Sequence, residues 1–398
     1  MNVRLKKSQI NGQIDAICSK SYAHRICICD FLSGNDIRER FNGFTSKDIL
    51  ATANCLNALK QGGNQLDCNE SGSTLRFMIP LCASLGGEYK LFGSEKLLSR
   101  PNDELFKALE QNGVLLVQEK NHIKISGNLQ AGKFSIRGDI SSQYISGLLM
   151  ALSNMDGDSE IVLTTPISSK PYVDITIEVL NAYGVEVEER ENGYFIKGNQ
   201  TFSGNLYPEG DWSNSSAFLV LGAINGDVTI KGLKLSSKQG DKSILDLLKS
   251  AGAIVEVVAD RIRVKKSDLI GFTMDADNCP DLVPICAVLG AVASGKTIIN
   301  NVERLRLKES DRILSTIEML KAFNVKAECD GKTMIIYGGE VKGGKVNSFN
   351  DHRIVMASAV LSSVADGESE IVGAEAVQKS YPTFFEDYLK LGGKANEV

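Results

Sequence analysis

A helix followed by a β-type run recurs along this chain at a nearly constant interval, and this repeat limits the folds that its 398 residues can adopt. Each copy has a polar start, an amphipathic helix, a Gly or Asn turn residue and then a β-type run. Each helix carries one apolar stripe, so each needs a sheet to cover it. Four full copies and two shorter ones span residues 100–117, 170–188, 240–258, 310–328, 46–66 and 380–394. The turn residues of the full copies, about 70 positions apart, are Gly113, Gly184, Gly252 and Asn324. Six copies predict an α/β protein with two pseudo-symmetric domains of three repeats.

The ten residues from Glu303 to Arg312 contain four cations and three carboxylates. Such a density of charge is costly to bury unless each charge has a partner. A helix over residues 308–320 would place its apolar residues on one face. It would also gather charged side chains at its N-terminal end, where free N–H groups and the helix dipole attract anions. The alternative is a solvated helix start whose charges pair with one another.

Other cations stand at the ends of predicted elements rather than along exposed helix faces. A second basic cluster, residues 19–25, opens a helix near the N-terminus, and a third, residues 350–353, opens another. Three further cations occupy similar junctions: Arg76, Arg100 and Lys379. Together with the charged run, they predict a ligand that carries several negative charges.

Nine short segments resemble the EPSP synthases, the 3-phosphoshikimate 1-carboxyvinyltransferases of the enolpyruvyl transferase family. They follow that family's order and approximate spacing over nearly the whole chain, which makes the resemblance far more specific than any single tripeptide. The segments are Ser19-Lys20-Ser21 with Arg25, Ser71 to Arg76, Arg100-Pro101, Asp139 to Gln143, Ser169 to Tyr172, Pro280-Asp281, Leu307 to Arg312, Asn350 to Arg353, and Lys379 to Pro382.

The resemblance implies the enolpyruvyl transferase fold, in which two pseudo-symmetric domains are each built from three βαβαββ units. Helices would lie inside and sheets outside, as an inside-out α/β barrel. The first strand would belong to the C-terminal half, so that residues 1–18 plus 210–398 form one domain and residues 19–209 form an inserted domain. The active site would lie in the cleft between the domains. Residues 207–211 are rich in turn-forming residues, which is typical of a boundary between domains.

The implied reaction transfers the enolpyruvyl group of phosphoenolpyruvate to the 5-hydroxyl of shikimate 3-phosphate and releases phosphate, a step of aromatic amino acid biosynthesis. Protonation of the vinyl carbon makes a cation-like centre that the hydroxyl attacks, and the reverse proton movement expels phosphate from a tetrahedral intermediate. The site therefore needs an acid and a base that can exchange roles, and cations for two phosphates and two carboxylates. No metal ion and no organic cofactor is expected.

Motif by motif, the resemblance implies which residues serve each part of this site. Asp281 is expected to be the base at the 5-hydroxyl, and Lys20 and Glu309 are both candidates for the proton relay at the vinyl carbon. Shikimate 3-phosphate would be bound by Lys20, Ser21, Arg25, Ser141, Ser142, Gln143, Ser169, Asp281 and Lys308. Phosphoenolpyruvate would be bound by Lys20, Gly72, Arg100, Gln143, Arg312, Arg353 and Lys379. Arginine suits carboxylates and phosphates because its guanidinium bonds two oxygens at once.

Several of these residues also have a purely structural interpretation. Asp281 could cap the helix that follows it. Ser141 and Ser142 could be helix caps, which is compatible with phosphate binding because both use the same free amides. His352 could be a packed core residue, and Tyr172 could be a packing residue that only borders the substrate.

Two rival functions stay open at this point. A UDP-N-acetylglucosamine enolpyruvyltransferase would share the fold and phosphoenolpyruvate, but it typically carries a mobile loop with a reactive cysteine, and this sequence has no such loop. A catalytically inactive, anion-binding relative is disfavoured by the intact set of Lys20, Asp281, Glu309 and Arg312.

Residues 290–297 satisfy the Gly-x4-Gly-Lys-Thr pattern of a nucleotide-binding phosphate loop. Such a loop needs a strand before it and a helix after it, so that the helix N-terminus meets the phosphates. Here the reverse order is predicted, because residues 282–293 indicate a helix and residues 297–302 indicate a strand. Nucleotide binding is therefore not predicted.

The net charge and the cysteine pattern argue against further classes of protein. The net charge of −5 argues against a nucleic-acid-binding protein, whose phosphate contacts require a basic face. Nine scattered cysteines without a Cys-x-x-Cys, and only three histidines, argue against a zinc site and fit a reducing compartment. No signal-peptide core and no bilayer-spanning apolar stretch is present. We expect a cytoplasmic monomer whose partners are its two small-molecule substrates, with no nucleic acid and no membrane.

Overall fold

The computed structural model describes residues 1–37 and 46–398. This part of the chain divides into two compact units. Unit 1 contains residues 1–19 and 209–398, and unit 2 contains residues 20–208. Both division points lie one residue from the predicted domain boundaries.

The elements of both units are numbered here in chain order. The strands are β1 (Asn2–Lys6), β2 (Ile10–Asp15), β3 (Gln65–Asp67), β4 (Gly87–Phe92), β5 (Val114–Gln118), β6 (His122–Gly127), β7 (Lys133–Ile136), β8 (Ser159–Leu163), β9 (Val187–Arg190), β10 (Gly193–Ile196), β11 (Gly226–Lys231), β12 (Ile254–Val258), β13 (Arg261–Lys265), β14 (Thr273–Asp275), β15 (Lys296–Asn300), β16 (Lys326–Cys329), β17 (Met334–Tyr337), β18 (Lys345–Asn347), β19 (Ser369–Val372) and β20 (Lys394–Glu397). The α-helices are α1 (Lys20–Leu32), α2 (Lys47–Lys60), α3 (Gly72–Leu85), α4 (Glu95–Leu98), α5 (Asp103–Glu110), α6 (Ser142–Leu152), α7 (Lys170–Ala182), α8 (Trp212–Asn225), α9 (Ile244–Ser250), α10 (Val283–Val292), α11 (Arg312–Ala322), α12 (His352–Ser362) and α13 (Phe384–Lys390). Short 3-10 helices cover Gly240–Ser243, Pro280–Leu282, Glu303–Leu307 and Ala374–Lys379.

The strands form five four-stranded sheets within the described residues. Four of them place their strands in the order first-second-fourth-third along the chain, and in the fifth β1, from the start of the chain, takes the place of the fourth strand. Unit 2 contains β3-β4-β6-β5 and β7-β8-β10-β9, and unit 1 contains β12-β13-β11-β2, β14-β15-β17-β16 and β18-β19-β1-β20. Each sheet has one parallel pair at an edge, and its other pairs are antiparallel. One α-helix connects the two strands in four of these parallel pairs, whereas β2 and β11 are separated along the chain by unit 2 and α8. The predicted mixed α/β class is confirmed.

The number of sheets differs between the two units as described. Unit 1 has three sheets, as expected for three βαβαββ units. Unit 2 has two sheets within residues 20–37 and 46–208, where α1 and α2 stand without a sheet of their own. Residues 38–45 lie outside the described residues, so the three βαβαββ units that the resemblance implies for unit 2 stay a prediction.

The crossover helices are the buried ones. In unit 1, α8, α10 and α12 pack against one another, and all but a few of their side chains are buried. A helix that is apolar on all sides is stable only when it is enclosed in this way. Asp211 caps α8 through the amide of Asn214, and Asp351 caps α12 through the amide of Arg353. The starts of two of the three buried helices, α8 and α12, are therefore fixed by carboxylates.

In unit 2, α3 and α6 cross in close contact at Gly147. A Cβ at this position would lie 2.7 Å from the carbonyl oxygen of Arg76 and 2.9 Å from the Cγ of Pro80. Both distances are too short for a real side chain, so glycine is required for the two backbones to approach. This contact brings the first turns of α3 and α6 together.

All six predicted helix–strand repeats are present, as α2–β3, α5–β5, α7–β9, α9–β12, α11–β16 and α13–β20. Their four predicted turn residues have positive φ: 92° at Gly113, 77° at Gly184, 85° at Gly252 and 63° at Asn324. The phosphate-loop pattern lies between α10 and β15, so the predicted order of helix before strand is confirmed.

The helix predicted over residues 308–320 begins four residues later than expected. Residues 303–307 form a 3-10 helix, and α11 starts only at Arg312. The reason is Asp311, whose carboxylate accepts hydrogen bonds from the amides of Ile313 and Leu314 and so caps the helix. Lys308 and Glu309 therefore lie in the loop before α11 and not in its first turn.

Within the described ranges, no helix is long and apolar enough to cross a membrane. No group of three or more His, Cys, Asp or Glu side chains in these ranges could hold a metal ion. All nine cysteines lie in the described ranges and are free thiols.

Candidate active site

In unit 1, the charged run and the start of α10 converge on Asp281. Arg312 Nη1 donates to Asp281 Oδ1 at 2.6 Å, and Lys308 Nζ donates to the same oxygen at 3.2 Å. Asp281 lies in the 3-10 helix before α10, but the N-cap residue of α10 is Leu282 and it has no side-chain cap. The capping interpretation of Asp281 is therefore wrong, and its carboxylate faces cations instead.

Arg312 is the centre of this ion cluster. Its side chain is only 1% exposed and contacts three carboxylates: Nη1 reaches Asp281, Nη2 donates to Glu309 Oε2 at 2.6 Å, and Nε donates to Asp351 Oδ2 at 2.8 Å. Ser310 Oγ donates to the same Asp351 oxygen at 3.0 Å. A buried guanidinium is tolerated only with such complete pairing. The solvated interpretation of the charged run is wrong for Arg312.

The pKa values of Asp281 and Arg312 are shifted toward their charged forms, whereas that of Lys308 is shifted toward its neutral form. Burial alone would raise the pKa of Asp281, but Lys308, Arg312 and Arg353 outweigh it and hold this pKa well below its usual value. Burial lowers the pKa of Lys308, and Asp281 opposes this shift. Burial would also lower the pKa of Arg312, but Asp351, Glu309 and Asp281 hold it well above the usual value. Asp281 is therefore an ionised carboxylate at neutral pH.

Arg353, in the first turn of α12, extends the cluster. Its Nη2 donates to Ser213 Oγ at 2.5 Å and lies 3.7 Å from Asp281 Oδ2, and its Nη1 donates to Asn214 Oδ1 at 3.5 Å. The structure thus places Asp281, Lys308, Arg312 and Arg353 together in unit 1. His352 beside it is 2% exposed, in agreement with its interpretation as a packed core residue.

Lys379, the last residue of its 3-10 helix, is 8% exposed and donates to the carbonyl oxygen of Asn350 at 2.7 Å. Phe349 and Asn350 adopt left-handed backbone conformations, with φ of 53° and 54°. This conformation is rare for an aromatic residue, and strained residues of this kind cluster at functional sites. The left-handed turn before Asp351 thus places the Asn350 carbonyl within hydrogen-bonding distance of Lys379.

In unit 2, Gly72 and Arg100 are in direct contact. Gly72 is the first residue of α3, and Ser71 caps this helix by accepting from the amide of Thr74 at 3.2 Å. A Cβ on Gly72 would lie 2.4 Å from Arg100 Nη1. The missing side chain leaves room for the guanidinium against the N-terminus of α3, where backbone amide groups can bind an anion.

Gln143 links α6 to α3 at this place. Its Oε1 accepts from Arg76 Nη1 at 2.8 Å, and its Nε2 donates to Ser73 Oγ at 2.9 Å. Ser141 is the N-cap of α6 and accepts from the amide of Gln143, so its capping interpretation is confirmed, whereas Ser142 is the first helical residue. Arg76 also donates to Asn102 Oδ1, to Ser141 Oγ and to the carbonyl oxygen of Pro101, so its guanidinium joins α3 and α6 to the loop before α5.

Lys20, at the start of α1, pairs with Asp48 Oδ2 at 2.7 Å. Arg25 on the same helix is 3% exposed and donates to Thr176, Tyr172, Ser21 and Ser146, all neutral oxygens. Burial lowers the pKa of Arg25 to about 10. Tyr172 contributes its backbone carbonyl to this set. These four hydrogen bonds use four of the five N–H donors of the Arg25 guanidinium.

Ser169 precedes α7 in a left-handed conformation with φ of 56°, an uncommon state for serine. Its side chain makes no capping hydrogen bond to α7. Most predicted residues of unit 2 lie in or just before the first two turns of α1, α3, α6 and α7, and most of those of unit 1 lie at the starts of α10, α11 and α12. The exceptions are Arg100, in the loop before α5, and Lys379, at the end of its 3-10 helix.

Three carboxylates near the candidate site were not predicted from the sequence: Asp48, Asp351 and the buried Asp241. A sequence signal was available for Asp351, because it stands inside one of the segments that resemble the family. Arg76 was predicted only as a cation at an element end, and its hydrogen bond to Gln143 was not predicted. Nothing in the sequence marks Asp48 or Asp241, whose partners lie 28 positions or more away along the chain.

The fold is that of the enolpyruvyl transferases. A solved EPSP synthase structure from Acinetobacter baumannii matches with a TM-score of 0.79 and 23% identity, over 100% of both chains. The enolpyruvyl transferase NikO from Streptomyces tendae matches with a TM-score of 0.77 and 14% identity, over 99% of this chain and 98% of that one. At these identities, the likeness establishes the fold alone.

Sequence similarity identifies the family. Residues 5–388 match the family model of EPSP synthase (3-phosphoshikimate 1-carboxyvinyltransferase). A 3-phosphoshikimate 1-carboxyvinyltransferase of Clostridium novyi is 39% identical over 431 residues, covering 100% of this chain and 98% of the relative. One of Methanococcus maripaludis is 36% identical over 430 residues and 100% of both chains. The chain belongs to the EPSP synthase family.

Proposed function

We propose that this protein transfers the enolpyruvyl group of phosphoenolpyruvate to the 5-hydroxyl of shikimate 3-phosphate and releases inorganic phosphate. Family membership supports the reaction, and one structural observation supports the site: an ionised Asp281 held by Lys308 and Arg312 beside a buried helix start. We also propose a cytoplasmic monomer, for which the nine free thiols are the supporting observation as regards compartment.

Asp281 would accept the proton of the attacking 5-hydroxyl. A carboxylate with a lowered pKa is a weak base toward a free alcohol. It becomes adequate as the new C–O bond forms, because the attacking oxygen then turns strongly acidic. Asp281 is thus suited to take the proton late in the addition step, after protonation of the vinyl carbon has created the cationic centre.

Lys308 would connect binding of shikimate 3-phosphate to the strength of this base. In the protein alone, Lys308 donates to Asp281 at 3.2 Å. The phosphate of the substrate would compete for the same ammonium and draw it away from the carboxylate. Loss of one of the cations that lower its pKa makes Asp281 a stronger base when the substrate is in place.

The carboxylate and phosphate of phosphoenolpyruvate would be held by the cations at helix starts. We assign Arg100 and Gly72 with Gln143 in unit 2, and Arg312, Arg353 and Lys379 in unit 1, with Lys20 as a contact to both substrates. These groups would also stabilise the negative charge that collects on phosphate as it leaves. Shikimate 3-phosphate would be bound by Ser21, Arg25, Ser141, Ser142, Gln143, Ser169, Asp281, Lys308 and Lys20.

The proton for the vinyl carbon has two candidate sources. Lys20 is paired with Asp48, and Glu309 is paired with Arg312. Each can exchange a proton with substrate only when this pairing loosens. The two candidates are separated by measuring solvent-deuterium exchange into phosphoenolpyruvate with Lys20→Met and with Glu309→Gln. Only the variant that lacks the true donor should abolish this exchange.

Phosphate release is the direct test. Wild-type protein mixed with both substrates is expected to release phosphate and to form 5-enolpyruvylshikimate 3-phosphate, detected by a phosphate assay and mass spectrometry. Phosphate release with UDP-N-acetylglucosamine in place of shikimate 3-phosphate would favour the related transferase instead. Binding of both substrates without phosphate release would indicate an inactive relative.

We expect shikimate 3-phosphate to make the protein more compact. The proposed ligands come from both units, Arg25 and Ser141 from unit 2 and Asp281 and Lys308 from unit 1, so one substrate molecule would bridge them. Small-angle scattering should show a smaller radius of gyration at saturating substrate. An unchanged radius at proven saturation would contradict a substrate that uses both units.

Gly72→Ala is expected to weaken the binding of phosphoenolpyruvate and to weaken the binding of glyphosate more. The new Cβ would lie 2.4 Å from Arg100 Nη1, so the guanidinium must move away from the helix start. A shift that costs about 1.4 kcal/mol raises the Michaelis constant tenfold. Glyphosate is longer than phosphoenolpyruvate and is expected to compete for the same site, so its inhibition constant should rise further.

Gly339→Ala serves as the matched control for this substitution, because a Cβ there meets no atom within 4 Å. It is expected to leave both constants unchanged. Equal weakening of both ligands in Gly72→Ala would contradict the placement of Gly72 against the inhibitor, and no weakening would contradict its placement at the site.

A further inference from the structure

Three buried hydrogen bonds join α1, α2 and α3 in unit 2, and the proposed mechanism does not use them. His24 Nδ1 on α1 lies 2.7 Å from Thr52 Oγ1 on α2. The Thr52 hydroxyl lies 2.6 Å from Thr74 Oγ1 on α3, which donates to Ser71 Oγ at 2.7 Å. These four side chains, called here the hydroxyl chain, are each at most 1% exposed. Hydrogen bonds that are shielded from water strengthen one another, so the hydroxyl chain holds its three helices firmly together.

The protons of the hydroxyl chain run in one direction. Each threonine hydroxyl has a single proton, and each of the three short contacts needs one. Because Thr74 donates to Ser71, the proton between the two threonines comes from Thr52. The proton between His24 and Thr52 must then come from His24 Nδ1. The donors therefore end at Ser71, the N-cap of α3, which also accepts from the amide of Thr74.

The surroundings of His24 agree with this direction. Burial, followed by the charges of Lys20 and Arg25, holds the pKa of His24 well below its usual value, so the ring is neutral and has one proton. Its Nε2 is buried and has no hydrogen-bond partner within the described residues. A proton on Nε2 would be an orphaned buried donor, which is rare in native structures. The neutral ring therefore carries its proton on Nδ1.

An ion pair joins α1 and α2 one helical turn before the hydroxyl chain. His24 follows Lys20 by one turn on α1, and Thr52 follows Asp48 by one turn on α2. Lys20 Nζ donates to Asp48 Oδ2 at 2.7 Å. Thr74 Oγ1 also lies 3.3 Å from the carbonyl oxygen of Asp48. The first two turns of α1 and α2 are thus joined to α3 by side chains.

Both ends of this assembly carry proposed ligands of phosphoenolpyruvate. Lys20 stands at the start of α1. Ser71 directly precedes Gly72, the first residue of α3. The hydroxyl chain and the ion pair therefore connect two parts of the proposed phosphoenolpyruvate site through α2.

Arg25, which is assigned to shikimate 3-phosphate, depends on different hydrogen bonds. It follows His24 on α1 but donates to Thr176 Oγ1 at 2.6 Å and to Ser146 Oγ at 3.2 Å. These hydrogen bonds join α1 to α7 and α6 and share no atom with the hydroxyl chain. A defect in the hydroxyl chain should therefore affect the two substrates unequally.

We propose that Thr52 and Thr74 are positioning residues for phosphoenolpyruvate. Together with His24, they hold the start of α1 and the start of α3 at the spacing that lets Lys20 and Gly72 contact one ligand. A small displacement of a binding group is enough to lower its effect on a substrate. The inference rests on the proposed function, because phosphoenolpyruvate is the ligand assigned to both helix starts.

Thr52→Val tests this role, because it removes the central hydroxyl and keeps nearly the same shape. The Nδ1 proton of His24 then has no acceptor, and Thr74 has no donor. We expect the Michaelis constant for phosphoenolpyruvate to rise about threefold to tenfold, the effect of one buried hydrogen bond. The Michaelis constant for shikimate 3-phosphate should stay within about twofold of wild type. Thr52→Ser keeps the hydroxyl and should restore the wild-type constant for phosphoenolpyruvate.

Ser153→Ala is the matched control in the same unit. Ser153 is fully buried near the far end of α6 and donates to the carbonyl oxygen of Leu149 at 2.7 Å. Its loss should lower the free energy of unfolding and leave both Michaelis constants unchanged. A merely structural role predicts the same result for Thr52→Val, and that result overturns the inference. An equal rise of both constants in Thr52→Val also overturns it.

The direction of the protons is tested in wild-type protein, so this test holds even if Thr52→Val does not fold. Long-range ¹H–¹⁵N NMR spectra of protein with ¹⁵N-labelled histidine show which ring nitrogen carries the proton. The chain has only three histidines, and His24→Asn identifies the signals of His24. We expect the proton on Nδ1, and a proton on Nε2 overturns the inference.

Failure of the proposed function can be told apart from failure of this inference. If wild type releases no phosphate, the proposed function fails. Dissociation constants for phosphoenolpyruvate, measured by calorimetry on wild type, Thr52→Val and Thr52→Ser, then decide the inference by the same ratios. Wild-type protein that does not bind phosphoenolpyruvate at all would overturn both.

Discussion

Replacement of Asp281 by asparagine is expected to lower kcat by about 10²–10⁴-fold, the usual cost of losing a positioned general base. Shikimate 3-phosphate should still bind, because the variant leaves Lys308 without its anionic partner and the substrate phosphate can replace it. Steady-state kinetics measures the loss of turnover, and calorimetry measures the affinity for the substrate.

Asp277→Asn is the control for this experiment. Asp277 lies four positions earlier in the same segment and pairs with Arg304 at 3.6 Å rather than with the cluster around Arg312. Its kcat is expected to stay within about threefold of wild type. A kcat of Asp281→Asn that is equally close to wild type would remove Asp281 from the mechanism.

Arg312→Met is expected to reduce the free energy of unfolding by about 3–5 kcal/mol and to abolish turnover. Methionine has a similar length but no charge, so Asp281, Glu309 and Asp351 lose the cation that they share. Asp351 is fully buried, so water cannot replace the lost partner. Urea denaturation at pH 7 measures the change in unfolding free energy.

The loss of stability should depend on pH with a defined sign. The pKa of Asp281 in the folded wild-type protein is well below that of the unfolded chain, about 3.9. Its ion pairs therefore stabilise the wild type fully above about pH 5, and this stabilisation is lost as the pH falls through the folded-state pKa. The difference between wild type and Arg312→Met should be largest at neutral pH and smaller below pH 4.

Arg306→Met is the matched control, because Arg306 belongs to the same charged run but its side chain is 53% exposed and pairs with Asp311 at the surface. Surface ion pairs contribute about 0–1 kcal/mol. A loss in Arg312→Met as small as that in Arg306→Met would contradict the central place of Arg312 in the cluster.

Local patterns in the sequence were sufficient for much of the fold. The helix–strand repeat and its Gly or Asn turn residues predicted six units that the structure contains, because amphipathic periodicity and positive φ at a helix end depend on neighbouring residues alone. The reversed order around residues 290–297 was predicted for the same reason. The start of α11 differs from the prediction because Asp311 caps the helix, and apolar periodicity alone does not reveal where a cap begins it.

For the candidate site, the sequence by itself determined which residue types stand at the helix starts, and therefore the anionic character of the ligand. Only the tertiary structure decided how their charges are shared. Arg312 is buried among three carboxylates, Arg25 donates to neutral oxygens, and Arg353 donates to Ser213. These pairings join residues far apart in the chain, and the energy of a charge depends on its burial and its nearest partners. The burial of a charged residue and the identity of its partners cannot be inferred from that residue and its neighbours in the sequence.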